Sequence, residues 1–143
     1  MKQALTGLLL AIAFPVQSQV EFPSKPIRLI VQFTPGTSTD IIARAVRQKR
    51  TEAWGQPVVV DNRPGAGAVI GTEAAAKSAP DGYTLVMAVS SAFGINPGLV
   101  PNLPYDVARD FALITNVVMT PQTLIVPAEF LRKHPPIEGL GYI

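Results

Sequence analysis

The sequence contains no cysteine and only one histidine, His134, near its end. The first absence excludes disulfides, thiolate catalysis and cysteine-held metals. The second argues against a Ser-His-Asp arrangement around the loop at 33–40. Charge is also scarce, at 15% of 143 residues with a formal net charge of +2. Such a balance gives no reason to expect nucleic acid as a partner. Apolar runs are short. The longest, Leu5 to Phe14, has about ten residues, against the roughly 20 that cross a bilayer.

What is present starts with an amino-terminal stretch, "MKQALTGLLLAIAFPVQSQ". An early lysine, an apolar core broken by Pro15, and tolerated residues at Val16 and Ser18 predict a signal peptide cut after Ser18. The alternative, a buried helix, ends without a cap. Eleven glycines and 14 prolines are spread along the chain, which predicts many turns in one globular domain.

The mature pattern is strand, helix, strand, helix, strand. "IRLIVQF" (27–33) is apolar and β-branched, and Ser38 to Trp54 has helical periodicity. Ile42, Val46 and Ala53, with Ile41, Ala45 and Trp54, form its expected apolar face, with Arg44, Arg47, Lys49 and Arg50 turned outward. Gly55 stands where a left-handed cap is needed. "PVVVDN" (57–62) predicts a second strand, an alanine-rich helix runs through Lys77, and Thr84 to Val89 predicts a third strand. Short connections make this an α/β fold with a β-α-β-α-β parallel sheet covered on both faces. From Ser90 the pattern loosens into proline- and glycine-rich loop. "DFALITNVVMT" (110–120) and "QTLIVPA" (122–128) predict two further strands, and the last dozen residues show no periodicity.

Three loops follow the three strands. "FTPGTSTD" (33–40) joins a strand to a helix start, where unpaired N–H groups and the helix dipole favour an anion. Thr37 is the expected N-cap, with Asp40 completing a capping-box-like exchange, and Gly36 permits close backbone approach. Asp40 as a catalytic base lacks any partner acid, histidine or metal cluster. "GAGAVIG" (65–71) resembles the dinucleotide fingerprint, but its spacing is one residue too long and the expected acid is missing. It offers further backbone donors at the same sheet edge. Ser90 and Ser91 follow the third strand without the G-x-S-x-G elbow of a hydrolase. Three strand ends with small, polar or glycine residues predict a binding crevice without catalytic machinery.

"FPSKPIRLIVQFTPGTSTDIIAR", "GQPVVVDNRPGAGAVIGTEAAAKSAPDGYTL" and "INPGLVPNLPYDVARDF" together resemble the periplasmic solute-binding receptors of tripartite tricarboxylate transporters, also called the Bug receptor family. The similarity runs from about Phe22 to Val126, with several motifs in the right order. It implies a two-lobed periplasmic-binding-protein fold that captures small carboxylate-bearing metabolites and delivers them to a membrane permease. It further implies no catalysis, no cofactor and no metal, and no membrane insertion after signal cleavage. Carried onto this chain, the ligand-binding positions are Thr34, Pro35, Gly36, Thr37, Ser38, Thr39 and Asp40, then Gly65, Ala66, Gly67 and Ala68, with Ser90 and Ser91 at a third loop.

Thr37 stands where the family usually has glycine; Ala68 and Val69 replace a glycine and often an asparagine. A methyl at Ala68 is expected to narrow approach to the loop. Family members are about twice this long, in keeping with two domains of ordinary size. The resulting division is residues 1–18 as signal peptide, 19–131 as an incomplete amino-terminal lobe and 132–143 as a divergent tail. On that reading the chain is a truncated receptor that binds weakly or not at all. The alternatives are a small exported β-α-β enzyme or nucleotide-binding domain, and a non-functional remnant.

Overall fold

The computed structural model describes residues 21–120 and Glu129. The chain divides into two units, residues 1–111 and residues 112–143. The first is an α/β unit in the order β1 (Ile27–Val31), α1 (Ser38–Trp54), β2 (Val58–Asn62), α2 (Val69–Ala76), β3 (Thr84–Val86) and one final helical turn, α3 (Asn96–Leu99). The strands form a parallel sheet in the order β2-β1-β3. Ile27 pairs with Val58, and Leu29 lies between Val60 and Leu85.

β1 is central because its sequence suits burial on both faces. Ile27, Leu29, Ile30 and Val31 are all buried, each stabilising the fold by about 1.5–3 kcal/mol. Alternation sends Ile27, Leu29 and Val31 to one face, where they join Ala43 of α1, Val58 and Met87 in the core. The opposite face carries Ile30 and Gln32, and there Gln32 meets Thr72 of α2. The sheet thus has a helix on each side. β2 is an edge strand, and its Val59 is 52% exposed.

α1 has the bounds expected from its caps. Gly55 sits at φ 65°, and its N–H donates to the Thr51 carbonyl. The expected apolar face needs correcting. Ile41 is 61% exposed and Ala45 and Ala53 face solvent, while Asp40 and Ala43 are buried with Ile42, Val46 and Trp54 packed against the core. The physical reason is Asp40: hydropathy turns an acid outward, but polar partners at the sheet edge hold this one inside and rotate the helix accordingly.

Strand ends are shorter than expected. Gln32 and Phe33 lie outside β1, Pro57 outside β2, and Met87 to Val89 outside β3. A wide π-type turn, Ser91–Ile95, follows β3 and runs into α3. Tyr105 is buried, donates its hydroxyl to the Ala92 carbonyl at 2.8 Å, and stacks edge-on with Phe111.

Within the second unit, residues 112–120 form no strand. This corrects the expectation for 110–120. An apolar run becomes a strand only by pairing, and here Leu113, Ile114 and Met119 stay 77–84% exposed. The further expected strand, 122–128, lies outside the described residues, as do the signal segment and the tail from 130.

Candidate functional site

The loop after β1 is built around one buried carboxylate. Thr37 is the N-cap of α1, in extended conformation (φ −72°, ψ 161°). Its Oγ1 accepts from the Asp40 N–H at 3.4 Å and donates to the Thr34 carbonyl at 3.0 Å. Asp40 is 2% exposed. Its Oδ2 accepts from Arg44 Nε at 2.8 Å and from the Gly36 N–H at 2.9 Å, and its Oδ1 accepts from Asn62 Nδ2 at 2.9 Å. The Arg44 hydrogen bond, then those of Gly36 and Asn62, hold the carboxyl well below the usual carboxylate range despite the opposing effect of burial.

A capping box would have Asp40 accept the Thr37 N–H. It accepts from Gly36 instead, one residue earlier, and Gly36 takes φ 88° to present that hydrogen. The Thr37 N–H turns to the Thr34 carbonyl at 3.4 Å. Among the described residues, the N–H groups of Ser38 and Thr39 meet no acceptor. They open the first turn of a 17-residue helix, where the dipole is positive. Thr34, Pro35, Gly36 and Ser38 are exposed around them.

The loop after β2 takes positive φ at four consecutive residues after Pro64. Gly65, Ala66, Gly67 and Ala68 have φ of 134°, 47°, 61° and 76°. Ala66 and Gly67 are exposed, whereas the Ala68 methyl is buried at 1% exposure. That methyl therefore fills core rather than narrowing the loop mouth, and its cost is conformational, about 1–2 kcal/mol for a left-handed alanine. The Ala68 carbonyl accepts from Thr72 Oγ1 at 2.7 Å, and Thr72 Oγ1 accepts from Gln32 Nε2 at 3.3 Å. Gln32 is fully buried, and its Oε1 has no partner among the described residues.

At the third loop, Ser90 is exposed and Ser91 half-buried. Neither hydroxyl is hydrogen-bonded to an acid or histidine among the described residues. The third segment is joined to the second loop by Asn96, whose Nδ2 donates to the Gly67 carbonyl at 2.9 Å. Among the described residues no group of three or more His, Asp or Glu is placed to hold a metal ion.

All three loops lie at the carboxyl edge, and the order β2-β1-β3 puts the topological switch between β1 and β3, where open α/β sheets take ligands. A hollow of about 310 Å³ lies elsewhere, beside Pro26, Arg28, Val59 and Asp61. Its acid is already engaged by Arg28 and Arg63, whereas the loop edge keeps the Ser38 and Thr39 N–H groups open. Sequence reasoning missed Asn62, Gln32, Thr72 and Asn96, whose partners lie 29–40 residues away except for Asn62 to Asp40 at 22, Asn62 to Arg44 at 18 and Thr72 to Ala68 at four. An amide closing a strand just before a glycine-rich loop was the available signal for Asn62.

The profile of the tripartite tricarboxylate transporter family receptors matches residues 42–135. Protein BugT of Bordetella pertussis is 45% identical over 126 residues, covering 85% of this chain and 38% of that protein. A solved structure described as a periplasmic transporter is 54% identical with a TM-score of 0.58, covering 60% of this chain and 29% of its own. MatC from Rhodopseudomonas palustris, solved with bound malate, is 33% identical with a TM-score of 0.60, covering 63% of this chain and 31% of its own. The chain thus spans well under half the length of these proteins. With its three-stranded parallel sheet and the matched profile, the chain belongs to the tripartite tricarboxylate transporter receptor family.

Proposed function

We propose that this chain supplies the first ligand-holding loops of an extracytoplasmic solute-binding receptor, which takes small carboxylate-bearing metabolites and delivers them to a membrane permease. The observation that carries this reading is the pair of open N–H groups, Ser38 and Thr39, at the start of α1 beside the switch point. A carboxylate seated there gains two hydrogen bonds and the helix dipole without needing a lysine. Thr34, Pro35 and Gly36 leave the approach open, Thr37 and Asp40 fix the turn, and Gly65, Ala66 and Gly67 contribute backbone from the second loop. Ala68 takes part through its backbone alone, and Ser90 and Ser91 line the third side. The malate in MatC, a relative with the same fold over this stretch, supports a carboxylate ligand.

The reading is binding rather than catalysis. Residues 1–18 act as export signal, 19–131 belong to the lobe, and 132–143 form a tail that, beyond the end of the matched profile at 135, diverges from the family pattern. The receptor works in the periplasm. No described helix is long and apolar enough to cross a membrane. The near-neutral charge argues against nucleic acid as partner. One wall of a cleft excludes little water, so the expected affinity of this stretch by itself is about millimolar.

Titration calorimetry with malate, succinate and citrate tests the proposal. Saturable binding of at least one acid, absent with the corresponding neutral diamide or triamide, is the expected result. Equal heats for acid and amide, or none for any acid up to tens of millimolar, would contradict it.

A further inference from the structure

Asn62 closes β2 and stands at the root of the second loop. Its Nδ2 donates to the Phe33 carbonyl at 3.0 Å and to Asp40 Oδ1 at 2.9 Å. Its Oδ1 lies 3.5 Å from Arg44 Nη2. One side chain therefore grips both ends of the first loop: Phe33, two residues past β1, and the first turn of α1. Asp40 passes the grip on, because its other oxygen holds the Gly36 N–H. Both Asn62 amide hydrogens are used, which settles the orientation of the carboxamide.

A simple strand-end cap would need only one of these bonds. Two bonds to opposite ends of a six-residue connection fix its direction relative to the second loop. We propose that Asn62 is a positioning residue, which aims the Ser38 and Thr39 N–H groups at the same carboxylate that the second loop faces. The inference rests on the carboxylate-binding reading above and adds a residue that never touches the ligand.

Asn62→Asp is nearly isosteric, yet removes both donors and sets a second carboxylate against Asp40. Asn62→Ala removes the donors without adding charge. The double variant Asp40→Asn, Asn62→Asp restores the bond between the two positions with donor and acceptor exchanged. Malate binding is followed by the amide shifts of Ser38 and Thr39 in 15N-labelled protein, at a temperature where circular dichroism reports each variant folded.

The expected result is malate binding weakened about tenfold or more by Asn62→Asp and by Asn62→Ala, with only part of it regained in the double variant, which recovers the bond between positions 40 and 62 but not the one to the Phe33 carbonyl. If Asn62→Asp does not fold, Asn62→Ala decides by the same criterion. A role confined to stability lowers the melting temperature but leaves malate affinity within about twofold of wild type; that outcome overturns the inference alone. Wild-type protein without a saturable malate shift overturns the inference together with the carboxylate-binding reading.

Discussion

The Gly36 N–H and the Asp40 carboxylate meet at 2.9 Å, so the loop's own acid takes the glycine's donor, the Thr37 N–H turns to the Thr34 carbonyl, and the donors of Ser38 and Thr39 stay open. The same contact makes stability pH-dependent. Asp40 is held below its unfolded value by Arg44, Gly36 and Asn62. Such a carboxyl contributes stability that is present above the ordinary carboxylate range and lost as pH falls through and below it. Wild-type melting temperature should therefore decline from about pH 5 downward. In Asp40→Asn it should start lower at neutral pH and decline less steeply. Asp81 and Asp110, also held low, keep some acid slope in both proteins. Thermal melts from pH 7 to pH 2 check this, and parallel curves would remove Asp40 from the account.

Gly71 lets α2 approach the sheet. A methyl on Gly71 would lie 2.8 Å from the Arg63 carbonyl oxygen and 3.1 Å from the Gln32 Cα, both backbone atoms that cannot swing away. Gly71→Ala should destabilise by about 1–3 kcal/mol, as overpacking does. The urea midpoint reads the change.

Two glycines with open space around them should respond in opposite directions. At Gly67, φ is 61° and nothing lies within 4 Å of an added methyl. Gly67→Ala should cost about 1 kcal/mol through backbone strain alone. Gly94 has equal space, within the helical turn Ser91–Ile95, and no positive φ. Gly94→Ala should gain about 0.5 kcal/mol by restricting the unfolded chain. Paired urea melts distinguish the two signs.

Tyr105→Phe removes the hydroxyl donor of the Ala92 carbonyl at a buried site while keeping the ring against Phe111. The expected loss is about 1–2 kcal/mol, the cost of a buried acceptor left unmatched. Hydrogen exchange should quicken first in the segment from Ser91 to Leu99.

The elements that sequence reasoning placed well are those decided locally. Ser38 to Trp54 was readable at both ends because Thr37 and Gly55 cap by short-range chemistry. β1 and β2 were readable because their apolar, β-branched residues suit a parallel sheet. Strand ends were not: the paired register stops at Val86, with Met87 making a last hydrogen bond to the Ile30 carbonyl at 2.9 Å, and Phe33, Ala88 and Val89 have no ladder partner. Ile41 was turned the wrong way because nothing near Asp40 announces Asn62, 22 residues later, as the partner that buries it. The three loops were visible as glycine and hydroxyl clusters. The amides that tie them, Asn62, Gln32 and Asn96, were not, because each contact joins distant parts of the chain.

The central claim is that backbone N–H groups at the start of α1 hold a carboxylate. Ser38→Pro addresses it most directly. Proline suits the first helical position, and Thr37, at ψ 161°, already has the conformation a following proline requires. The substitution removes one open donor and leaves the helix in place. Calorimetric titration of malate into wild type and Ser38→Pro is the decisive measurement. Ser38→Pro is expected to keep an equal or higher melting temperature while its malate affinity falls about tenfold. Unchanged malate affinity in a folded Ser38→Pro protein would contradict it.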